Sequence, residues 1–392
     1  TDRQTDRQTD RQTDRQTEQN SVHRVIIVAN YAAFYSGNFI ASLTALEERL
    51  KKYNVTVSYI FPKGAPFANW GEDGKFLEHH EVHISDFNRQ ALAVNLNKLA
   101  KDRNTSVHFN FLDWKTLWTM KNALKDKHPH MIFQEHMRVN FFEEQTNRGI
   151  PGSLKAHLKK RLYKYATSGY KVIGVSDAVY DDLCAIREAK DTYMVRNAIS
   201  TERLDGNWDN TLTLDPIHDV VIFGTHFDRK GVDIALKAVR TVGNGIRLIV
   251  LSHHEEDAIK RLDAVDSEWR KFAMVKHVVE NVPCAYNHAL CFISPSRSEA
   301  FGYAVAEAAY CNTQVIASDV PGQNSMKCIP GIQWVGAEKI DELAEALNNC
   351  YKMKMNKPEE LRQQKEIQRD YIRKHFGLDK WCDEIISLYG LK

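Results

Sequence analysis

The stretch Phe292-Ile293-Ser294-Pro295-Ser296-Arg297-Ser298-Glu299-Ala300-Phe301-Gly302-Tyr303-Ala304-Val305-Ala306-Glu307-Ala308 decides the fold class. It reads as the end of a β-strand (Leu290 to Ser294), a polar loop, a glycine, and a helix of small residues from Tyr303 to Cys311. A strand that passes through one loop into a helix is half of a βαβ unit, the repeating element of parallel α/β sheets. The N–H groups that open such a helix have no acceptor within it, so they suit an anion such as a nucleotide diphosphate. Glu299 precedes the helix and Glu307 lies more than a turn inside it. Were both helical, eight residues would separate them by about 12 Å along the axis. That exceeds the roughly 5 to 9.5 Å between the paired carboxylates of a glycosidase. The two acids then either grip different parts of one extended ligand or are a solvated loop acid and a helix-surface acid, the commoner case for a lone pair.

Working outward, β-rich apolar runs alternate with helical patterns over the whole chain beyond residue 20. Expected strands of the first half are Arg24 to Ala29, Val55 to Phe61, Val107 to Phe111, His130 to Gln134, Lys171 to Val175 and Thr192 to Val195. Helical patterns between them include Phe39 to Tyr53, Trp114 to Lys127, Ser153 to Thr167 and Ala178 to Ala189. A second series follows, with strands Asp219 to Phe223, Ile246 to Leu251, Met274 to Val279, Leu290 to Ser294 and Gln314 to Ala317, and helix Val232 to Thr241. The expectation is two doubly wound Rossmann-like domains facing across a cleft, with ligands beyond the carboxyl ends of the strands. The boundaries are 21–200 for the first domain, 201–218 for a linker and 219–375 for the second domain. The segment 376–392 is a closing helix that returns to the first domain.

A second candidate segment is Phe223-Gly224-Thr225-His226-Phe227-Asp228-Arg229-Lys230-Gly231-Val232-Asp233. It is a strand end and a turn, then a lysine and a glycine opening a helix, which would aim a cation and N–H groups at phosphate.

The first segment closely resembles the E-x7-E signature of retaining family-4 glycosyltransferases of GT-B fold, including S-E-x-F-G at Ser298 to Gly302. The resemblance implies that Glu299 contacts the donor sugar and that Glu307 holds the ribose hydroxyls of a sugar nucleotide. It also assigns Ser298, Phe301 and Gly302 to the donor loop. The second segment resembles the family's G-R-x5-K-G pattern, which puts Lys230 on the diphosphate. Thr225 stands where the family has arginine, and Arg229 is the neighbouring cation. Weaker likenesses cover nearly all of the remaining chain beyond the tail. Gly37 and Asn38 occupy the place of the family's glycine-rich loop, and His136 matches a histidine near the reacting sugar. Ser176 and Asn197 fit recurring structural motifs.

Composition narrows the alternatives. The chain of 392 residues is 43% hydrophobic and 27% charged, as in folded globular proteins. Its longest apolar runs fall far short of the roughly 18 residues of a membrane span, and no apolar leader is present, so a cytoplasmic location is expected. Seven cysteines without a C-x-x-C pair give neither a zinc ribbon nor a disulfide framework. His79-His80-Glu81-Val82-His83 lacks metal-ligand spacing, so no metal is expected. No P-loop, G-x-G-x-x-G or nucleophile elbow occurs, and no basic stripe interleaves with aromatics, which argues against nucleic acid.

Charge is uneven. Residues 21–200 hold 25 basic and 18 acidic side chains, net +7, whereas 201–392 hold 24 and 28, net −4. Between Pro151 and Lys171 there are six cations and no acid. Leu154, Leu158, Leu162 and Tyr165 recur there at helical spacing. Two readings stand: a core-packed helix with a solvated basic face, or a surface drawn to anionic lipid or a phosphorylated acceptor through Lys155, Lys159, Lys160 and Lys164. Residues 1–20 repeat TDRQ four times and then once in degraded form. Such a polar period buries nothing and is expected to be disordered. ACA GAC AGA CAG encodes Thr-Asp-Arg-Gln, so the tail either translates a slippage-prone tetranucleotide tract, resembling those that make bacterial surface-glycan genes phase-variable, or is a solvated linker.

The expected function is transfer of a sugar, with retention, from a nucleotide sugar (UDP-linked) to a glycan or lipid-linked acceptor in bacterial surface polysaccharide or lipooligosaccharide synthesis. No metal or other cofactor is expected, and the site is cytoplasmic, peripheral on the inner membrane face. The alternatives are a sugar-nucleotide epimerase of similar fold and a degenerate sugar-nucleotide-binding partner subunit.

Overall fold

The computed structural model describes residues 22–71, 73–139, 149–187, 189–311 and 314–391. The expectation for the TDRQ repeat lies outside the described residues. The chain forms two compact units, one running to Arg196 and including the segment from Trp381 onward, the other Asn197–Lys380.

The first unit is built on a seven-stranded sheet in the order β3-β2-β1-β4-β5-β6-β7. The strands are β1 (Arg24–Ala29), β2 (Thr56–Pro62), β3 (Val82–Ser85), β4 (Thr105–Asn110), β5 (His130–Glu135), β6 (Lys171–Gly174) and β7 (Thr192–Met194). Every pairing is parallel. The interior strand β1 is Arg-Val-Ile-Ile-Val-Ala, buried from Val25 to Ala29, because parallel strands carry helices on both faces and need an unbroken apolar run. Helices start where short polar side chains accept a backbone N–H: Asn88 from Ala91, Asp113 from Thr116 and Ser176 from Val179. The segment returning from Trp381 docks on this sheet. Its Tyr389 carbonyl accepts from Ser106 Oγ at 3.0 Å, and its hydroxyl meets His108 Nδ1 at 2.7 Å.

The second unit carries a six-stranded sheet ordered β10-β9-β8-β11-β12-β13. Its strands are β8 (Asp219–Phe223), β9 (Arg247–Ser252), β10 (Ala273–His277), β11 (Cys291–Ser294), β12 (Val315–Ser318) and β13 (Gln333–Val335), again all parallel. The stretch expected as a linker, 201–218, is part of this unit. Leu204, Leu212 and Leu214 are buried in its core alongside Phe292 and Ala308. Three spaced leucines outweigh the polar and turn-forming residues around them, since burying each stabilises by about 1.5–3 kcal/mol. No described helix is long and apolar enough to cross a membrane.

Candidate functional site

In the second unit, β11 ends at Ser294 and the helix Tyr303–Cys311 begins nine residues later, so the loop between them sits at the carboxyl edge of the sheet. Glu299 on this loop is largely buried and engaged from three sides. Lys230 Nζ lies 2.6 Å from its Oε1, Arg229 Nη1 lies 2.9 Å from its Oε2, and Ser296 Oγ donates at 3.0 Å. Burial alone would push the Glu299 carboxyl up, but the Lys230 ammonium and Arg229 guanidinium outweigh it and hold the group below the ordinary carboxylate range. The two sequence motifs thus meet on one carboxylate.

What brings them together is a set of contacts that spacing in the sequence does not reveal. Arg297 grips Asp233 with two bonds of 2.9 Å, donates to the Asp228 carbonyl at 2.6 Å and pairs with Glu338 at 2.8 Å. Its backbone N–H donates to the Arg229 carbonyl at 2.8 Å. Gly231 lets the backbones approach: its φ is +70°, and a Cβ there would come within 2.1 Å of the Pro295 carbonyl oxygen. Beneath the loop, fully buried Gln323 donates to the carbonyls of Ser294 and Ser318 at 2.9 Å and accepts from Ser294 Oγ at 2.7 Å. Gly322 beside it sits against Glu299, where a Cβ would be 2.0 Å from the Glu299 carbonyl oxygen.

Glu307 lies in the second turn of the helix, also buried. Arg203 Nη2 holds its Oε1 at 2.6 Å and the Tyr286 hydroxyl donates to Oε2 at 3.4 Å. Of the other donor-loop residues, Ser298 offers its carbonyl to Arg229 at 3.2 Å. Phe301 is buried, its ring centroid 5.0 Å from Tyr303 and 6.3 Å from Phe376, so it supports the loop from inside. Gly302 precedes the helix and its carbonyl accepts the Val305 N–H at 3.0 Å. Thr225, in the position of the family arginine, accepts the His253 N–H at 3.4 Å and brings no charge.

In the first unit, His136 follows β5 and is buried. Its Nε2 lies 3.0 Å from Asn110 Oδ1, and Asn110 Nδ2 points the other way, to the His108 carbonyl at 3.5 Å. That orientation puts the ring proton on Nε2 and leaves a lone pair on Nδ1. Phe111 stacks on the imidazole at 3.9 Å, and Phe39 meets it edge-on at 5.6 Å. Burial, with His108 as a nearby like charge, pushes the His136 pKa down to about 3, so the ring is neutral at physiological pH. Phe111 has φ +57°, a left-handed backbone that a bulky residue rarely adopts. Gly37 opens the helix Gly37–Lys51, and Asn38 is buried in its first turn. Tyr31 packs between Phe39 and Phe111 and donates to the Ser36 carbonyl at 3.3 Å, anchoring the loop before Gly37. Asn110, Phe111 and Tyr31 were not singled out in the sequence; Phe111 falls at the end of an expected strand, with nothing local to mark its strain.

The histidine-rich stretch disperses: His79 pairs with Asp73, His80 with Glu47 and His83 with Glu81.

Known proteins are similar to the chain in one segment of its sequence and in its fold. Residues 218–353 match the family of glycosyl transferases group 1. That segment contains Thr225, Arg229, Lys230, Ser298, Glu299, Phe301, Gly302 and Glu307. No curated protein matches the chain. Among solved structures, Anabaena HepE in complex with UDP is similar, with 14% identity over 93% of this chain and 98% of that one, at a TM-score of 0.71. Sucrose-phosphate synthase from Thermosynechococcus elongatus gives 16% identity, coverages of 94% and 98% and a TM-score of 0.73. A glycosyltransferase from Rickettsia africae gives 16%, 94% and 98%, and 0.72. The fold is GT-B: two Rossmann-like domains, each on a parallel sheet.

Proposed function

We propose that the chain is a retaining glycosyltransferase that moves a hexosyl group from a UDP-sugar to a glycan or lipid-linked acceptor of surface polysaccharide or lipooligosaccharide synthesis. The observation that carries this reading is the convergence of Lys230 and Arg229 on Glu299 beside a helix start, within the segment that matches the glycosyltransferase family. UDP and UDP-glucose occupy the HepE structures, which supports a uridine donor.

In this reading the donor diphosphate takes over Lys230 and Arg229, and Glu299 turns its freed carboxylate to the sugar hydroxyls. Glu307 exchanges Arg203 for the ribose. The C1–O bond to diphosphate breaks and its electron pair leaves on UDP. The acceptor hydroxyl bonds C1 from the same face, and its proton passes to the departing phosphate. Charge on that leaving group is met by the two cations and by the N–H groups of the Tyr303–Cys311 helix, so no metal ion is required. His136, neutral with an acceptor at Nδ1, takes a sugar hydroxyl. Gly37 and Asn38 present backbone to donor or acceptor. The acceptor is lipid-linked where Lys155, Lys159, Lys160 and Lys164 draw the enzyme to an anionic membrane.

Incubation with donor alone tests the reaction class. Slow release of UDP supports the transferase, and accumulation of an isomerised sugar nucleotide would establish the epimerase instead.

A further inference from the structure

The helix Gly149–Ala166 turns its leucines outward. Ala156, Tyr163 and Ala166 are buried, while Leu154, Leu158, Leu162 and Tyr165 are 75%, 57%, 39% and 62% exposed. At 100° per residue these four fall within an arc of about 80°. Lys155 and Arg161 border that arc about 60° to either side of Leu158, and Lys164 lies farther round. The first of the two sequence readings, with the apolar row packed in the core, is thereby excluded.

The strip continues onto the helix Trp114–Ala123. Trp118 is 43% exposed, and its ring lies 6.2 Å from that of Tyr165 at 67°. Lys121 Nζ sits 4.8 Å from the Tyr165 ring centroid and donates to the Tyr165 carbonyl at 2.7 Å, fixing the two helices side by side at this point. Lys115, within this helix, and Lys125, just after it, are exposed. Neither 114–125 nor 149–171 contains an acidic residue. Exposed leucines scattered singly are ordinary, but a continuous apolar row with an aromatic pair at one end and cations along both borders is not.

We propose that this two-helix strip docks the protein on an anionic bilayer by inserting side chains rather than by charge attraction alone. Leu154, Leu158 and Leu162 enter the acyl boundary, Trp118 and Tyr165 sit at headgroup depth, and Lys155, Arg161, Lys164 and Lys115 meet lipid phosphates. The acidless composition selects a negatively charged surface, and the three leucines select one with an apolar interior. This rests on the membrane part of the proposed function and adds the mode of binding. It leaves the donor site untouched.

Flotation of the full chain with vesicles tests it, using pure phosphatidylcholine and a roughly 7:3 mixture with phosphatidylglycerol. The parent floats with the anionic vesicles, and a fraction stays bound when NaCl rises from about 0.15 M to about 0.5 M, where screening shortens to roughly half of its 8 Å. Leu154→Ser/Leu158→Ser/Leu162→Ser lowers the partition coefficient about tenfold or more and abolishes the salt-resistant fraction. Lys155→Gln/Arg161→Gln/Lys164→Gln instead loses the preference for anionic lipid. Acyl-brominated lipid quenches the parent's tryptophan fluorescence, and Trp118→Phe removes that quenching. The substituted side chains are exposed, so UDP-sugar binding should be retained and reports that each variant is folded. If the triple serine variant partitions like the parent, insertion is wrong and only charge attraction survives. A parent that binds neither vesicle overturns the membrane reading itself, and a lipid-free dimer dissolved by the serine substitutions would make the strip a contact between copies.

Discussion

Lys230 and Glu299, 69 residues apart in the chain, meet at 2.6 Å at the carboxyl edge of the second sheet. The carboxylate is nearly buried, so the ammonium is its charge balance as well as a neighbour. A ligand that supplies phosphate can take the lysine only if the glutamate acquires another donor, and sugar hydroxyls provide one.

Lys230→Ala should therefore cost more than Arg229→Ala. We expect a fall in turnover of roughly 10²–10³ for the lysine, the range seen when one oxyanion donor is removed, and less for the more exposed arginine. Steady-state rates of UDP release measure both. Equal, small losses would place the leaving group elsewhere, and abolition of the parent's rate by a chelator would refute the metal-free mechanism.

Glu307→Ala should weaken UDP-sugar binding by about 1.5–3 kcal/mol, the value of a hydrogen bond to a charged group. Calorimetric titration reads this directly. Arg203→Ala, which removes only the unliganded partner, should leave affinity equal or improved. Unchanged affinity in a folded Glu307→Ala variant would remove the ribose role.

Glu135 makes a prediction about pH. Its carboxyl accepts from the Tyr163 hydroxyl at 2.8 Å and from the Met137 N–H at 3.2 Å, yet burial outweighs these bonds and pushes its pKa up to about 7. The folded state then holds this proton over a range in which the unfolded chain has released it. Its contribution is fully present below the ordinary carboxylate pKa and is lost as pH rises through 7, on the order of 3–4 kcal/mol in all. Relative to the parent, Glu135→Gln should gain stability between pH 5 and pH 8. Parallel denaturation midpoints across that range would show that Glu135 is not the titrating group.

Gly231→Ala should destabilise the second unit by about 1–3 kcal/mol, because a Cβ would collide with the Pro295 carbonyl at a φ of +70°. Thermal unfolding with and without donor checks it. Parent-like stability would mean the turn can move, and with it Lys230.

How much of this was legible in the sequence follows from distance along the chain. Glu299, Gly302 and Glu307 lie within one strand–loop–helix unit, so their spacing alone marked them. Both sheets could be read from strands such as β1, whose buried run has no polar interruption. The edge strand Val82–Ser85, whose stretch looks strand-like without a clear period, and the three-residue Gln333–Val335 are too short to stand among the expected strands. The ties that shape the site were illegible for another reason: Arg297 reaches Asp233 across 64 residues and Arg203 reaches Glu307 across 104, and no local pattern encodes either pair. The polar look of 201–218 hid three core leucines, and the periodicity at Leu154–Tyr165 showed an apolar face without showing that it points outward.

The most direct test of the central claim is a thermal-shift titration of the parent, Lys230→Ala and Glu307→Ala with UDP-, GDP- and ADP-sugars. A UDP-sugar at a hundredfold excess over Kd should stabilise the parent by about 2.7 kcal/mol, visible as a rise in Tm of several degrees. Both variants should lose most of that rise, each measured against its own ligand-free Tm, which falls for Lys230→Ala because Glu299 then keeps only Arg229 as a charge partner. A parent that no nucleotide sugar stabilises, or variants that keep the full shift, would contradict a sugar-nucleotide site built on these two residues.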